Sequence, residues 1–263
     1  MGKRKLPYDG RTQDYLTISD FLEDNIIRVP HKLNSEHYIN AMTFTDSDKA
    51  EEITYILPLK PKFFEYFKAE DLKNGFQPNK VGVKIDKLTG GVVVTLQIPV
   101  KGHDHQKVIT YQRRYSGDAD IENNKGGIET FDFDAFIMPL VRDNDISRAF
   151  YTVGCISPKL RNYQMRFFLG GKAVDAKSDC RNIDGSFDYK SITYTIIGTN
   201  FDYLTVSNDD GFCGVIVPIF KDNHATATFH FSIDVGTSNT HIAYQKAGST
   251  KTYDLEYNAG DSP

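Results

Sequence analysis

The sequence predicts a mainly β protein whose leading domain is an antiparallel sandwich or barrel-like fold with one or two short helices. Two observations predict it. The chain carries 18 Phe and 15 Tyr, and aromatic and β-branched residues suit the pleated, half-buried surface of a sheet. Beyond Pro78, short apolar runs recur between clusters of Gly, Asn and Asp with few helical periods between them, the spacing of sandwiches and barrels.

From Met1 to about Asn34 the pattern is mixed. Ser19 stands where it would cap one short helix over residues 21–27, with Glu23 and Asp24 in its first turns. Residues 37–45 and 52–59 alternate as two neighbouring strands, the second ended by Pro58. Pro61 suits the first position of a helix and Gly75 suits a helix end, which makes 60–75 the best helix candidate in the chain. Strands follow at 81–87, 91–100, 107–115, 128–138, 149–156, 162–169, 191–198, 202–206 and 212–220. Turn chemistry separates them at 89–91, 101–104, 124–127, 170–172 and 209–211.

With 263 residues, 40% hydrophobic and 25% charged, the chain can bury a sizeable core and lies outside disordered and membrane compositions. No run approaches the roughly 20 apolar residues of a membrane helix. The basic start at Lys3, Arg4 and Lys5 leads into Leu6, Pro7 and Tyr8 rather than a signal-peptide apolar stretch. The expectation is a cytoplasmic protein without a membrane partner. Cys155, Cys180 and Cys213 are too widely spaced for a disulfide framework or a zinc ribbon. A net charge of −4 offers no global attraction to nucleic acid.

His103, Asp104 and His105 have the residue types of a metal site, but neighbours on a strand point to opposite faces, and a solvated turn accounts for them. Arg113 and Arg114 beside Tyr111 and Tyr115, and Arg161 and Arg166 beside Tyr163, mix basic and aromatic residues as single-strand nucleic-acid binders do. Cross-strand charge pairing is the simpler expectation. No Ser-His-Asp or Cys-His spacing assigns a catalytic residue.

Residues 221–224 form a polar break, which places a domain boundary between 1–224, the β-rich leading domain, and 225–263. Thr228–Val235 then reads as a strand with Phe229, Phe231, Ile233 and Val235 on one face and Thr228, His230, Ser232 and Asp234 on the other. Gly236, Thr237, Ser238 and Asn239 make a turn of small residues, and residues 240–245 return as a second strand. Such a turn can aim several N–H groups and two hydroxyls at one point, with Gly236 allowing a close approach that a side chain would block. It is suited to phosphate. A carboxylate beside it, Asp234, fits such a site when Mg²⁺ bridges the two.

The run from Asp234 to Thr240 resembles the first phosphate motif of the actin, DnaK-type chaperone and sugar-kinase ATPase superfamily. The spelling from Ile233 through Ile242 looks like that of large bacterial proteins carrying this superfamily's domain. The resemblance covers about 226–258, where residues 247–257 match the third strand of a meander. It implies the first β-meander of a ribonuclease-H-like, actin-type ATPase domain. It also implies Asp234 on the metal side, Gly236, Thr237, Ser238 and Asn239 around the phosphates, and Thr240 opening the return strand. ATP and Mg²⁺ are the implied cofactors.

The superfamily's second phosphate hairpin and adenosine segment follow the first motif, and 23 residues follow Thr240. The expectation is therefore the N-terminal portion of a longer ATPase, with an incomplete site and no turnover of its own. Its leading domain would face a protein partner. Glycine segments at 183–186 and 209–214 are explained by loop composition rather than as a permuted second motif. The alternatives are a β-rich binding or structural module whose hairpin only resembles the motif, and a sugar-kinase fragment.

Overall fold

The computed structural model describes residues 2–5, 12–30, 42–45, 52–74, 76–101, 106–133, 135–137, 141–143, 145–183, 188–223, 227–235 and 240–255. Among the described residues strands make up 59% and helical turns 10%, so the fold is mainly β. In order the strands are β1 (Gly2–Lys5), β2 (Thr12–Tyr15), β3 (Asn25–Val29), β4 (Met42–Thr45), β5 (Glu52–Tyr55), β6 (Gly82–Leu88), β7 (Gly91–Lys101) and β8 (Gln106–Ser116). Then come β9 (Lys125–Thr130), β10 (Ala135–Ile137), β11 (Val141–Asp143), β12 (Phe150–Pro158), β13 (Tyr163–Leu169), β14 (Lys172–Val174), β15 (Lys177–Asn182) and β16 (Tyr189–Ile197). The last are β17 (Tyr203–Asn208), β18 (Cys213–Ile216), β19 (Lys221–Asn223), β20 (Phe229–Val235), β21 (Thr240–Lys246) and β22 (Thr252–Asp254). Contacts divide the chain into two compact units, Met1–Lys221 and Asp222–Pro263.

The leading unit holds a seven-stranded sheet in the order β4-β5-β3-β9-β8-β7-β6. Its outer strands β4 and β6 come within 8 Å of each other, so the sheet curls into a nearly closed barrel and leaves little free edge. Pairing is antiparallel except where β9 runs parallel to both β3 and β8. Val83, Ile85, Val92, Val94, Leu96 and Tyr115 fill the barrel interior. Two four-stranded antiparallel sheets, β10-β12-β16-β15 and β14-β13-β17-β18, enclose a second core. In it Tyr151, Val153 and Cys155 meet Tyr163, Met165 and Phe167. Both outcomes of the sequence reading, barrel and sandwich, are present in one unit.

Where the sequence alternates, strands form with the expected faces: β12 and β16 bury every second residue through most of their lengths. The two hairpins β6–β7 and β13–β14 close at glycines with left-handed backbone, Gly90 (φ +76°) and the pair Gly170 and Gly171 (φ +56° and +78°), conformations open to glycine at little steric cost. The turn region 102–105, and with it His103, Asp104 and His105, lies outside the described residues.

Two helical expectations change. The helix expected after Ser19 is a single turn, α1 (Ile18–Phe21), flanked by Thr17, whose N–H and hydroxyl both donate to the Asp20 carboxylate at 2.8 Å. Residues 25–29 then form β3, because Ile26 packs into the barrel core while Ile27 and Val29 pack into the sandwich core, a two-sided burial that a strand satisfies. The candidate at 60–75 is a pair of 3₁₀ turns, Pro61–Glu65 and Ala69–Asn74, and Gly75 is outside the described residues.

Arg113 also departs from expectation. It points into the protein with 1% of its side chain exposed. Its Nη1 donates to the carbonyls of Leu22 (3.1 Å) and Glu23 (3.0 Å) and to Asp24 Oδ1 (2.8 Å). Nη2 donates to Ser19 Oγ (2.7 Å) and Nε to Asn124 Oδ1 (3.0 Å). A buried guanidinium is tolerable only when its donors are met in this way. Beside it the Tyr115 hydroxyl donates to the Glu23 carbonyl at 2.8 Å. A Cβ on Gly126 would stand 2.4 Å from the Tyr115 ring and 2.6 Å from the Asp24 carbonyl.

Three outcomes follow for urea unfolding. Arg113→Ala orphans several acceptors and lowers stability by about 3 kcal/mol or more, while Arg114→Ala, at an exposed position, changes it by less than about 0.5 kcal/mol. Gly126→Ala forces the Tyr115 ring aside and costs about 1–3 kcal/mol. Glu23 is partly buried, and that burial pushes its carboxyl above the ordinary value of 4.5, against the opposing pull of Lys60. The unfolded chain therefore ionises at lower pH than the folded one, and stability from this group is lost as pH rises past 4.5 through the folded value. Glu23→Gln removes that loss, so the variant gains on the wild type between pH 4.5 and neutrality.

Candidate phosphate-binding hairpin

The second unit is built on β20, whose sequence alternates aromatic or branched residues with polar ones. β20 pairs antiparallel with β21 from Phe229 opposite Lys246 to Val235 opposite Thr240. β21 pairs in turn with β22, Ala243 facing Asp254 and Gln245 facing Thr252. The turn between them is held by Gly248 at φ +80° and by the Gln245 side-chain amide donating to the Ser249 carbonyl at 2.6 Å. The product is a three-stranded antiparallel meander.

Its two faces differ in kind. Phe229, Phe231, Ile233 and Val235 share one face with Tyr244 and Tyr253, and Tyr244 stacks on Tyr253 at 5.5 Å. That face is open: Phe231 is 61% and Val235 76% exposed. The opposite face carries His230, Ser232 and Asp234, with His241 directly across from Asp234. His241 Nε2 lies 3.3 Å from Asp254 Oδ1. Asp254 was not singled out from the sequence. The signal for it is the register that the turn at Gly248 imposes on the third strand.

Asp234 occupies the next-to-last position of β20, exposed, and no hydrogen bond or ion pair engages its carboxylate among the described residues. Thr240 opens β21, its backbone opposite Val235. Gly236, Thr237, Ser238 and Asn239 lie outside the described residues, as does His224. The strands thus place Val235 and Thr240 at the two ends of one four-residue connection, with Asp234 next to Val235. Mg²⁺ binds through one or two carboxylates while keeping several waters and using substrate phosphates, and a single unengaged carboxylate beside a small-residue turn fits that demand. Among the described residues there is no group of three or more His, Cys, Asp or Glu side chains arranged to hold a metal on their own.

The remaining sequence candidates resolve structurally. Residues 209–211 form the tight turn between β17 and β18, with Gly211 at φ +85° and the Asn208 side chain accepting from Phe212 N–H at 3.1 Å. Of the 183–186 segment only Ile183 is described. Arg161 Nε pairs loosely with Asp132 at 3.6 Å, and the Tyr163 hydroxyl donates to that same carboxylate. The three cysteines are free. Burial pushes the Cys155 thiol up to about 12 and the Cys213 thiol up to about 11, so neither supplies a thiolate nucleophile near neutral pH. No family model matches the chain, and no curated protein matches it.

Proposed function

We propose that the chain is the N-terminal portion of an actin- or DnaK-like ATPase and that residues 229–246 form its first phosphate-binding hairpin. The observation that carries this reading is the meander with Asp234 next to last in its first strand, on the polar side, without a partner among the described residues and two residues before the Gly-Thr-Ser-Asn sequence. Bound Mg²⁺ would neutralise charge on the β and γ phosphates. Asp234 would hold that ion, directly or through water, and the hydroxyls of Thr237 and Ser238 with the turn's N–H groups would bind phosphate oxygens. Gly236, with no side chain, would leave room for that approach. The exposed apolar face of Phe231, Ile233 and Val235 supports the same reading, since a contiguous face of this kind requires cover and the remainder of a ribonuclease-H-like domain would supply it. The leading unit serves as the partner-facing domain.

Isothermal titration of Mg-ATP into the full-length gene product tests the proposal. Binding is expected, and Asp234→Ala is expected to weaken it by about tenfold or more, as loss of a metal-positioning group does. Absence of binding, or an affinity that Asp234→Ala leaves unchanged, overturns it.

A further inference from the structure

The leading unit contains a cleft of about 520 Å³ between the two 3₁₀ turns, the β13–β14 turn and the start of β17, a size within the range of ligand pockets. Its wall is aromatic and rigid, with Phe64 and Tyr203 buried and the Tyr66 ring open. Phe64 stacks on Tyr203 with ring centroids 3.8 Å apart, and Tyr203 stacks on Phe168 at 4.9 Å. Phe67 packs on Phe63 at 5.0 Å, which fixes the turn that presents Tyr66. Tyr66 is 53% exposed.

The charges around this wall are unequal in their commitments. Asp202 is already engaged: it accepts from Gly170 N–H at 2.8 Å and faces Arg142 at 3.5 Å. Glu65 and Glu70, both exposed and both lining the cleft, have no hydrogen-bond or ion-pair partner among the described residues. Among the described residues Lys68 is the one cation lining the cleft, so the unpaired carboxylates outnumber it.

We infer that this cleft binds an arginine side chain presented by a protein partner, the guanidinium lying against the exposed Tyr66 ring and bonding to Glu65 and Glu70. Aromatic faces attract guanidinium, and two carboxylates match its planar fork of donors. A neutral sugar could use the Tyr66 ring but would form no ion pair with either carboxylate. The inference stands apart from the nucleotide reading, because none of these residues belongs to the hairpin.

The test uses the full chain and a fluorescein-labelled Gly-Arg-Gly-Arg-Gly peptide, followed by anisotropy at low salt. Binding is expected, with the citrulline counterpart at least about tenfold weaker. The double variant Glu65→Gln, Glu70→Gln should lose about tenfold, as two exposed charge pairs would, and Tyr66→Ala should lose severalfold. Glu122→Gln, which removes an exposed charge elsewhere, should leave affinity unchanged. No binding, equal binding of the citrulline peptide, wild-type affinity in the double variant, or displacement of the peptide by a neutral gluco-oligosaccharide overturns the proposal.

Discussion

The leading unit depends on one buried charge. Arg113 projects from β8 into the segment that leads from α1 to β3 and binds the carbonyls of Leu22 and Glu23 together with Asp24 and Ser19. That segment has only one helical turn to satisfy its own backbone, and the guanidinium supplies donors that regular structure does not. Because β3 lies between β5 and β9, fixing its approach fixes the middle of the seven-stranded sheet. The charge is thus placed where a misdirected chain would leave it without partners, and the correct register is the one that meets its donors.

Barrel and sandwich are joined by strands that serve both. In β3, Ile26 belongs to the barrel core while Ile27 and Val29 belong to the sandwich; in β17, Tyr203 belongs to the first and Leu204 and Val206 to the second; in β18, Val215 and Ile216 divide in the same way. The Val215 N–H donates to the Leu57 carbonyl at 2.8 Å, continuing the hydrogen bonding from one sheet to the other. Neither core can be lost without uncovering a face of these strands, so the two act as one cooperative body.

The fold was legible wherever one face of a strand meets water. Alternation located β6, β7, β8, β12, β13 and β16, because a half-buried strand writes its geometry into every second residue; β17, buried on both faces, was located by its short apolar run between turn residues. It failed at β3, where adjacent Ile26 and Ile27 are buried on opposite faces and break the alternation, so that the segment reads equally well as helix. It failed again at β15, whose six residues are all exposed and carry no apolar signal. The 3₁₀ turns at 61–74 read as helix because Pro61 at the start and Gly75 after the end suit either form. In the second unit, the sequence correctly assigned the faces of β20. It could not place Asp254 beside His241, since that neighbour depends on the register of a third strand. Arg113 was unreadable for a related reason: the Leu22 and Glu23 carbonyls it binds, like Asp24 and Ser19, lie some ninety residues away, and main-chain carbonyls leave no mark in sequence.

β15 has a further consequence. It forms one margin of its four-stranded sheet and spells Lys-Ser-Asp-Cys-Arg-Asn, with Arg181 bonded to Asp179 at 2.6 Å. An unpaired strand margin is a template on which another chain can add, and charged side chains along it raise the cost of that addition. The same polarity that hid this strand from a hydrophobic pattern therefore protects the molecule from polymerising through its own sheet.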